Sequence, residues 1–323
     1  MKRVALCGIG GMGFVHYKAY KKIKNAEIVA VADPRTDMAR EKIGEDNVKV
    51  YSDLATLLAN EDIDMVDVCT PSYLHTELSI MAMEAGKDVI CEKPMSINSE
   101  GTAEIIAAIE RTGRTFMVAH VVRFMAPYIY LKKVVDSGEL GKPVHFQMKR
   151  ISGVPRWSWE DWMRDKKRSG GAIIDLSVHD IDYIQYVFGQ PKEIRGVHYD
   201  YKNDTEFHSS DLVYEDGFVA SIIGGWYNAD IPFEASFNAV FEKGNVVNYG
   251  GKVTRCGEEV NLSGADTEED TGINIKGVDG YAEEIAYFVQ CLENGVQPDM
   301  VTPVSSENAI KLAERIATED LTV

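Results

Sequence analysis

The chain has no long apolar run, little positive charge and few cysteines, and each shortage excludes a class of protein. No stretch reaches the length of about 18 apolar residues that a membrane-spanning helix needs. The 34 basic residues are outnumbered by 51 acidic ones, which leaves a net charge of −17. A field of that sign repels nucleic acid and anionic membranes, so small molecules and other protein chains are the expected partners.

The cysteines are scattered and form no CxxC pair. The five positions are Cys7, Cys69, Cys91, Cys256 and Cys291. An odd number without metal-ligand spacing argues for reduced thiols over a disulfide framework or a zinc site, and we expect no bound metal. About the first 30 residues also lack the layout of a signal peptide. We therefore expect a soluble, cytoplasmic protein.

The length of 323 residues predicts two domains, because one core rarely grows beyond about 250 to 300 residues. Short apolar runs alternate with longer amphipathic ones in the first third of the chain. This alternation is typical of βαβ units and a parallel sheet.

A glycine-rich turn follows the first predicted strand. The strand covers Arg3 to Cys7 and runs into Gly8-Ile9-Gly10-Gly11-Met12-Gly13, after which a helix opens. Gly8 permits a tight turn, Gly10 lets the backbone approach a pyrophosphate, and Gly13 allows the helix to pack closely on the strand. This context favours dinucleotide binding, with a glycine turn in some other α/β protein as the alternative.

An acidic residue marks the end of the second predicted strand. Asp33 follows the apolar run from Glu27 to Ala32 and lies where a ribose diol is bound. A carboxylate at this position favours NAD, because it repels the 2′-phosphate of NADP. Arg35 could neutralise Asp33 or hold that phosphate, or it could be a surface residue of the next helix.

Two further predicted strands end in polar residues. One covers Met65 to Cys69 and is followed by Thr70, and another ends at Cys91 before Glu92-Lys93-Pro94. Open α/β sheets bind ligands at the carboxyl ends of their strands. Lys93 is therefore either a solvated loop residue or a lysine aimed into a crevice, where its surroundings can suit it to proton chemistry. Convergence with Gly8 and Thr70 favours the crevice.

The pattern changes after Phe124. A helix from Ala126 to Asp136 ends in a turn-rich boundary, and the later stretches are rich in strand-forming residues. The Asp216-Gly217 pair between two of them indicates a hairpin, so we expect antiparallel neighbours. Asp266 to Asp270 reads as an acidic, exposed loop. One face of an open antiparallel sheet could bind a second subunit.

One predicted helix of the second half combines a mostly apolar sequence with three polar residues. It begins after Gly170-Gly171 and runs to about Phe188, and Asp175, His179 and Asp182 would share one helix face. A polar stripe on a buried helix is costly unless it is paired or faces a cavity. The two interpretations are a core histidine with paired acids and a catalytic group.

An aromatic loop precedes this helix. Trp157, Trp159 and Trp162 lie there with Arg156 and Arg164. Aromatic faces and guanidinium groups suit a polyhydroxylated ring, although aromatic packing at the edge of a core produces the same cluster.

These motifs together resemble those of the glucose-fructose oxidoreductase, inositol dehydrogenase and rhizopine catabolism family (Gfo/Idh/MocA). The resemblance covers essentially the whole chain. Beyond the glycine turn, it rests on Thr70-Pro71-Ser72-Tyr73-Leu74-His75, Glu92-Lys93-Pro94, Arg123-Phe124 and Gly170-Gly171-x3-Asp175-x3-His179-x2-Asp182. Ser72 and His120 depart from the residues common in the family, so the identity of the substrate is not carried across.

The resemblance implies an α/β fold with an NAD(P)-binding Rossmann domain over residues 1–122. Residues 123–323 would form an α/β domain with a large, mainly antiparallel sheet, which serves substrate binding and assembly into a homodimer or homotetramer. Lys93 and His179 would face each other across the cleft with Asp175 beside them, and the Lys93-Pro94 bond would be cis. The expected cofactor-binding residues then extend to Pro71, His75, Glu92 and Lys93, and the substrate-binding residues to His120, Arg123 and Trp162.

The predicted activity is reversible hydride transfer between NAD(P) and a secondary alcohol carbon of a sugar, cyclitol or related polyol. His179 is the expected base, with Asp175 orienting its ring or binding a neighbouring hydroxyl. Lys93 would bind the reacting oxygen or share the proton relay. The alternatives are an NADP-linked reductase of a keto sugar or other carbonyl and a noncatalytic NAD(P)-sensing protein.

Overall fold

The computed structural model describes residues 1–200, 205–262 and 280–319, together with the backbone of residues 321–322. The chain divides into two units, Met1–Val121 with Asp279–Glu307 and Val122–Val278 with Asn308–Val323. The later segment of the first unit falls in a part of the chain that the sequence prediction assigned to the second domain. The predicted acidic loop from Asp266 to Asp270 lies outside the described residues.

Within the described residues, the sheet of the first unit has six parallel strands. They are β1 (Lys2–Cys7), β2 (Ala26–Ala32), β3 (Lys49–Tyr51), β4 (Met65–Val68), β5 (Asp88–Glu92) and β6 (Phe116–Ala119). Their order is β3-β2-β1-β4-β5-β6, so the order reverses between β1 and β4. Dinucleotide-binding folds have this order and bind their ligand at the carboxyl ends of the strands beside the reversal. The predicted parallel sheet is confirmed.

Helices connect these strands, in the alternation of strand and helix that the sequence predicted. They are α1 (Gly11–Tyr20), α2 (Thr36–Ile43), α3 (Leu54–Asn60), α4 (His75–Glu84) and α5 (Ser99–Thr112). Asp53 caps α3 by accepting a hydrogen bond from the Thr56 N–H, and Asn98 caps α5 by accepting one from Gly101. Gly113 ends α5 in the left-handed conformation that glycine adopts without steric cost.

The second unit contains a nine-stranded sheet in the part of the chain that the structure describes. Its strands are β7 (Pro143–Gly153), β8 (Glu193–Asp200), β9 (Glu206–Val213), β10 (Val219–Tyr227), β11 (Glu234–Phe241), β12 (Gly244–Tyr249), β13 (Lys252–Arg255), β14 (Glu258–Glu259) and β15 (Leu321–Thr322). Their order is β14-β13-β12-β11-β7-β10-β9-β8-β15. The pairs β7–β10 and β8–β15 are parallel and the others antiparallel. The hairpin predicted at Asp216-Gly217 is confirmed as β9–β10.

The remaining described helices are α6 (Ala126–Ser137), α7 (Lys166–Ser169), α8 (Val178–Phe188), α9 (Gly280–Asn294) and α10 (Pro303–Glu319). Of these, α6, α8 and α10 contribute side chains to the core that packs on the second sheet. Aromatic side chains from α6, α8 and the sheet fill the core, and the rings of Tyr128 and Tyr183 meet edge to face at 4.9 Å. Helix α9 instead packs on α1 in the first unit. None of the described helices is long and apolar enough to cross a membrane.

Candidate active site

The glycine turn between β1 and α1 is closed on one side and open on the other. A β-carbon on Gly8, where φ is +87°, would lie 2.7 Å from the carbonyl oxygen of Cys69, and one on Gly13 would lie 2.0 Å from that of Gly8. Both positions therefore require glycine. A β-carbon on Gly10 would meet only the Arg35 guanidinium at 3.9 Å, and one on Gly11 would meet nothing within 4 Å. The open side and the N–H groups at the start of α1 fit the approach of a pyrophosphate.

Asp33, which follows β2, accepts a hydrogen bond from the backbone of this turn. Its carboxylate is 2% exposed and accepts hydrogen bonds from the Ile9 N–H at 3.1 Å and the Arg35 N–H at 2.9 Å. The Arg35 guanidinium adds two contacts to the same carboxylate, at 3.1 Å through Nε and 3.2 Å through Nη2. Of the roles considered for Arg35, the structure shows the neutralisation of Asp33.

Lys42 is a second cation at the glycine turn, and the sequence analysis missed it. Its Nζ donates to the carbonyl oxygens of Ile9 at 2.8 Å and Gly10 at 2.9 Å. Burial and the nearby charge of Arg35 lower the pKa of Lys42. A lysine in the last turn of α2 belongs to no motif, so no signal in the sequence separated it from ordinary surface lysines.

Three predicted site residues lie just beyond the carboxyl ends of adjacent strands. Gly8 follows β1, Thr70 lies two residues past β4, and Lys93 follows β5. Neighbouring strands are spaced by about 4.8 Å, so these residues share one edge of the sheet. Lys93 is half-buried, and its bond to Pro94 is cis as the family resemblance implied. Pro71 leads into a short 3₁₀ turn at Ser72–Leu74.

The rings of His75 and His120 are buried rather than open to the strand-end edge. His75 is 1% exposed, and its Nδ1 lies 2.7 Å from the Pro94 carbonyl oxygen while its Nε2 lies 2.9 Å from that of Thr70. Burial lowers the pKa of His75, although the two carbonyl oxygens oppose this effect. The ring nitrogens of His75 thus contact the backbone of two loops, and its binding of the cofactor stays a prediction. His120 follows β6, the neighbour of β5.

Glu92 contacts the backbone of the residue that follows it. Its Oε2 accepts a hydrogen bond from the Lys93 N–H at 3.0 Å, and its Oε1 lies 3.0 Å from Nε2 of His16. The carboxylate is buried. Glu92 was predicted to bind the cofactor, whereas both of these contacts are internal.

In the second unit, Asp175 and His179 occupy a helix of mixed geometry. Residues Ile173–Ser177 form a turn of π-helix, and α8 begins at Val178. The helix predicted to begin after Gly170-Gly171 and run to about Phe188 is confirmed, with a π turn in its first part that the sequence did not reveal. Asp175 is buried in the π turn, and His179 is half-buried in the first turn of α8. A π turn widens the helix by one residue and is frequent at functional sites.

Two residues of β9 hold the π turn in place, and neither stood out in the sequence. Glu206 accepts a hydrogen bond from the Ala172 N–H at 2.9 Å, just before the turn. His208 contacts the Ser177 hydroxyl at 2.7 Å at the turn's last residue. Complete burial lowers the pKa of His208 to about 4, so its ring is neutral at pH 7.

Asp182 and Arg123 form a buried ion pair. The carboxylate accepts from Arg123 Nε at 2.8 Å and from Nη2 at 2.5 Å, and the guanidinium lies 4.5 Å from the centre of the Tyr186 ring. The interpretation of Asp182 as a paired acid is confirmed. Both partners are almost fully buried, and the guanidinium holds α8. Substrate binding by Arg123 stays a prediction.

The tryptophan side chains of the aromatic loop differ in burial. Trp162 packs against a small core cluster that includes Val154, Met163 and Trp226. Trp157 is 77% exposed. Trp162 thus takes part in aromatic packing at the edge of a core, and its binding of substrate stays a prediction.

Comparison with family models covers both units. Residues 2–120 match a model described as oxidoreductase family, NAD-binding Rossmann fold, and residues 128–247 match the GFO/IDH/MocA C-terminal domain. The first match agrees with the glycine turn and Asp33, and the second with the large sheet.

Curated relatives match over part of their length. The chain is 32% identical over 192 residues to a 2,7-anhydro-N-acetylneuraminate hydratase of Mediterraneibacter gnavus, a match covering 59% of this chain and 50% of the relative. It is 32% identical over 190 residues to the scyllo-inositol 2-dehydrogenase (NAD(+)) of Bacillus subtilis, a match covering 58% and 54%. The alignments thus span about half the length of these relatives.

A solved structure matches over nearly the whole chain. The myo-inositol 2-dehydrogenase of Lactobacillus plantarum superposes with a TM-score of 0.82 at 24% identity, over 98% of this chain and 96% of that one. At this identity the likeness shows the fold alone.

Proposed function

Because the chain belongs to the Gfo/Idh/MocA oxidoreductase family, we propose that it is an NAD(P)-dependent oxidoreductase acting on a sugar, cyclitol or related polyol. The reaction is hydride transfer between the cofactor and a secondary alcohol or ketone carbon. We expect the protein to bind NAD in preference to NADP, because the buried Asp33 carboxylate lies at the end of β2.

The strand order of the first unit is the observation that carries this proposal. It places the glycine turn, Thr70 and Lys93 at neighbouring strand ends beside the reversal of the sheet order. A cofactor held on the glycine turn, with Asp33 and Arg35 at its ribose, therefore has a lysine at the same sheet edge. A glycine turn alone would need no such lysine.

The proposed chemistry divides among three side chains. NAD(P) supplies the hydride acceptor or donor when bound. Lys93 donates a hydrogen bond to the reacting oxygen and stabilises negative charge that develops there. His179 takes the hydroxyl proton, and Asp175 orients its ring or binds a neighbouring hydroxyl. The half-buried position of His179 in the first turn of α8 supports its role as an accessible base.

The relatives carry names for two different net reactions, and the proposal has to be tested against both. One is named a scyllo-inositol dehydrogenase and another a hydratase of an anhydro sugar acid. A dehydrogenase accumulates reduced cofactor in proportion to product, whereas a hydratase does not. The noncatalytic sensor considered from the sequence would need neither Lys93 nor His179.

We expect Lys93→Met and His179→Ala each to lower turnover about a hundredfold or more, because each removes a proton-handling group. A panel of cyclitols, hexoses, glycosides and sugar acids would be screened by NADH absorbance and by NMR of the sugar, so that net hydration is also seen. NADH and NADPH fluorescence titrations would show that cofactor binding changes less than about threefold.

Undiminished turnover in both variants would remove Lys93 and His179 from the mechanism. Sugar conversion without accumulation of reduced cofactor would replace dehydrogenation by hydration. Cofactor binding with no conversion of any compound in the panel would favour the sensor.

We also propose a homodimer or homotetramer formed through the face of the second sheet opposite its helices. Residues alternate along β10, where Ala220 and Ile222 are buried in the core while Ser221 and Ile223 are half-buried on the other face. Light scattering is expected to give two or four subunits, and Ile223→Glu to shift the protein towards monomers. A wild-type monomer at micromolar concentration would contradict the proposal.

A further inference from the structure

His16 lies fully buried in α1 between two carboxylates. Its Nδ1 is 2.8 Å from Oδ2 of Asp67 on β4, and its Nε2 is 3.0 Å from Oε1 of Glu92 on β5. One side chain therefore joins the helix of the glycine turn to two of the strands whose ends form the candidate site.

Each contact needs a proton between the ring nitrogen and the carboxyl oxygen that it faces. The raised pKa of His16 and the lowered pKa of Glu92 favour both protons on the ring, which makes it a buried imidazolium. Burial opposes this charge, but Asp67 and Cys69 together outweigh it and hold the pKa of His16 well above its usual range.

The other polar groups around His16 fit a hydrogen-bonded cluster. The Cys69 thiol lies 3.3 Å from Nδ1 and donates to Oδ1 of Asp67 at 3.2 Å, and the Tyr281 ring lies 6.1 Å away on α9. Further titratable groups coupled to this cluster are Tyr20 of α1, Glu284 of α9, Cys7, Cys91 and His75. His16, Asp67 and Cys69 could also hold a metal ion, but their distances are those of hydrogen bonds.

The position of Glu92 connects this cluster to Lys93. One carboxylate oxygen of Glu92 lies against His16, and the other accepts the backbone N–H of Lys93 at 3.0 Å. On the far side of Lys93, the Pro94 carbonyl oxygen lies 2.7 Å from the ring of His75. The backbone of Lys93 is thus held from both sides by residues that contact a buried histidine.

We propose that His16 is a positioning residue for Lys93, acting through Glu92. Its Nε2 hydrogen bond fixes the Glu92 carboxylate while its Nδ1 hydrogen bond anchors the ring to Asp67, and Glu92 in turn fixes the backbone of Lys93 relative to the glycine turn. The inference rests on the proposed function only in so far as Lys93 serves catalysis. The alternative role for His16 is a core residue that stabilises the fold with no effect on Lys93.

The protonation of His16 can be tested without any substrate. Nitrogen-15 histidine NMR of the full chain is expected to show both ring nitrogens of His16 protonated from pH 6 to pH 8, with the assignment made from His16→Gln. A ring with a single proton at pH 7 would overturn the proposal, because one of the two carboxylate contacts would then be unmade.

The link to Lys93 is tested by labelling and kinetics of His16→Gln. Lys93 would be acylated with a limiting amount of an amine-reactive reagent, and its modification measured by peptide mapping. The rate of acylation of Lys93 relative to that of the exposed Lys24 is expected to change about threefold or more. Turnover is expected to fall about ten- to a hundredfold, because small misplacements of a reacting group are costly, with NADH affinity within about threefold. Tyr17→Phe, in the same helix but hydrogen-bonded to Asp46 instead of this cluster, is the matched control and should leave both readouts within about threefold of wild type.

The pH profile separates positioning from a purely structural role. His16 holds the pKa of Glu92 low against the opposing effect of burial. In His16→Gln the acid limb of turnover should therefore move to higher pH by about one unit or more. Unchanged labelling and an unchanged profile in folded His16→Gln would overturn the proposal. If no substrate is turned over by the wild type, the labelling and NMR results still decide it, and only the proposed function fails.

Discussion

Asp33 and Arg35 hold each other through two guanidinium contacts at the end of β2. We propose that this pair controls recognition of the cofactor ribose. A free carboxylate would favour the diol of NAD strongly and reject a 2′-phosphate. With Arg35 bound to it, the charge of Asp33 is partly neutralised and a guanidinium stands beside the ribose site. The pair should therefore discriminate less between the two cofactors than an unpaired carboxylate.

We expect Arg35→Ala to weaken NADPH binding about tenfold or more and to leave NADH binding within about threefold. Removal of the cation deprives the phosphate of its partner and leaves Asp33 to accept hydrogen bonds from the diol. Fluorescence titrations with the two reduced cofactors would measure both affinities.

Arg40→Ala is the matched control, because Arg40 lies in the same helix and is paired with Asp37 on the surface. It should change neither affinity by more than about threefold. An equal loss of NADH and NADPH binding in Arg35→Ala would show that Arg35 supports the turn without selecting the cofactor.

Residues whose role is set by a local motif could be predicted from the sequence, and residues whose role depends on distant partners could not. Gly8, Gly13 and Asp33 stand at fixed offsets within one βαβ unit, so their positions followed from spacing. Lys42 and His16 act through contacts with groups that lie 32 to 76 residues away along the chain. No spacing rule connects such partners.

The helix that carries Asp175 and His179 shows the same limit at the scale of an element. Its apolar residues predicted a buried helix, which is correct, and placed Asp182 on the face of His179. The π turn at Ile173–Ser177 inserts one extra residue before α8, and periodicity of side chains does not reveal it. Contacts from β9, more than 30 residues later, hold both ends of that turn.

Pairing in the second sheet was predictable only where strands are joined by a short turn. The β9–β10 hairpin followed from Asp216-Gly217 and the alternating residues beside it. The parallel pairing of β7 with β10 joins strands separated by two intervening strands and α8 along the chain, and alternation alone does not choose between partners. The sequence therefore predicted a mainly antiparallel sheet but not its order.

At the scale of the whole molecule, each unit contains a buried histidine whose ionisation is tied to stability, and the two act in opposite directions. His16 in the first unit is held as an imidazolium, with its pKa well above the usual range because Asp67 and Cys69 together overcome the opposing effect of burial. His208 in the second unit is held neutral, with its pKa lowered by burial to about 4. Because each pKa differs between the folded and unfolded chain, each histidine changes the free energy of unfolding over its own range of pH.

For His208 the unfolded chain binds a proton at about pH 6.5, while the folded chain does not until about pH 4. Its contribution to stability is therefore complete above pH 6.5 and is lost as pH falls from 6.5 to 4. The loss is on the order of 2 kcal/mol by pH 5. For His16 the contribution is complete below pH 6.5 and is lost as pH rises towards its high folded-state pKa.

We expect urea unfolding to show these opposite dependences when wild type is compared with His208→Asn and His16→Gln at pH 5, 7 and 9. The stability advantage of wild type over His208→Asn should shrink from pH 7 to pH 5, because the variant has no group to protonate there. Its advantage over His16→Gln should shrink from pH 7 to pH 9, because the unfolded ring is neutral in this range and folding must take up a proton, which costs more as pH rises. Tryptophan fluorescence and circular dichroism, recorded together, would detect separate unfolding of the two units. Parallel pH dependences for wild type and both variants would show that neither histidine carries the ionisation assigned to it.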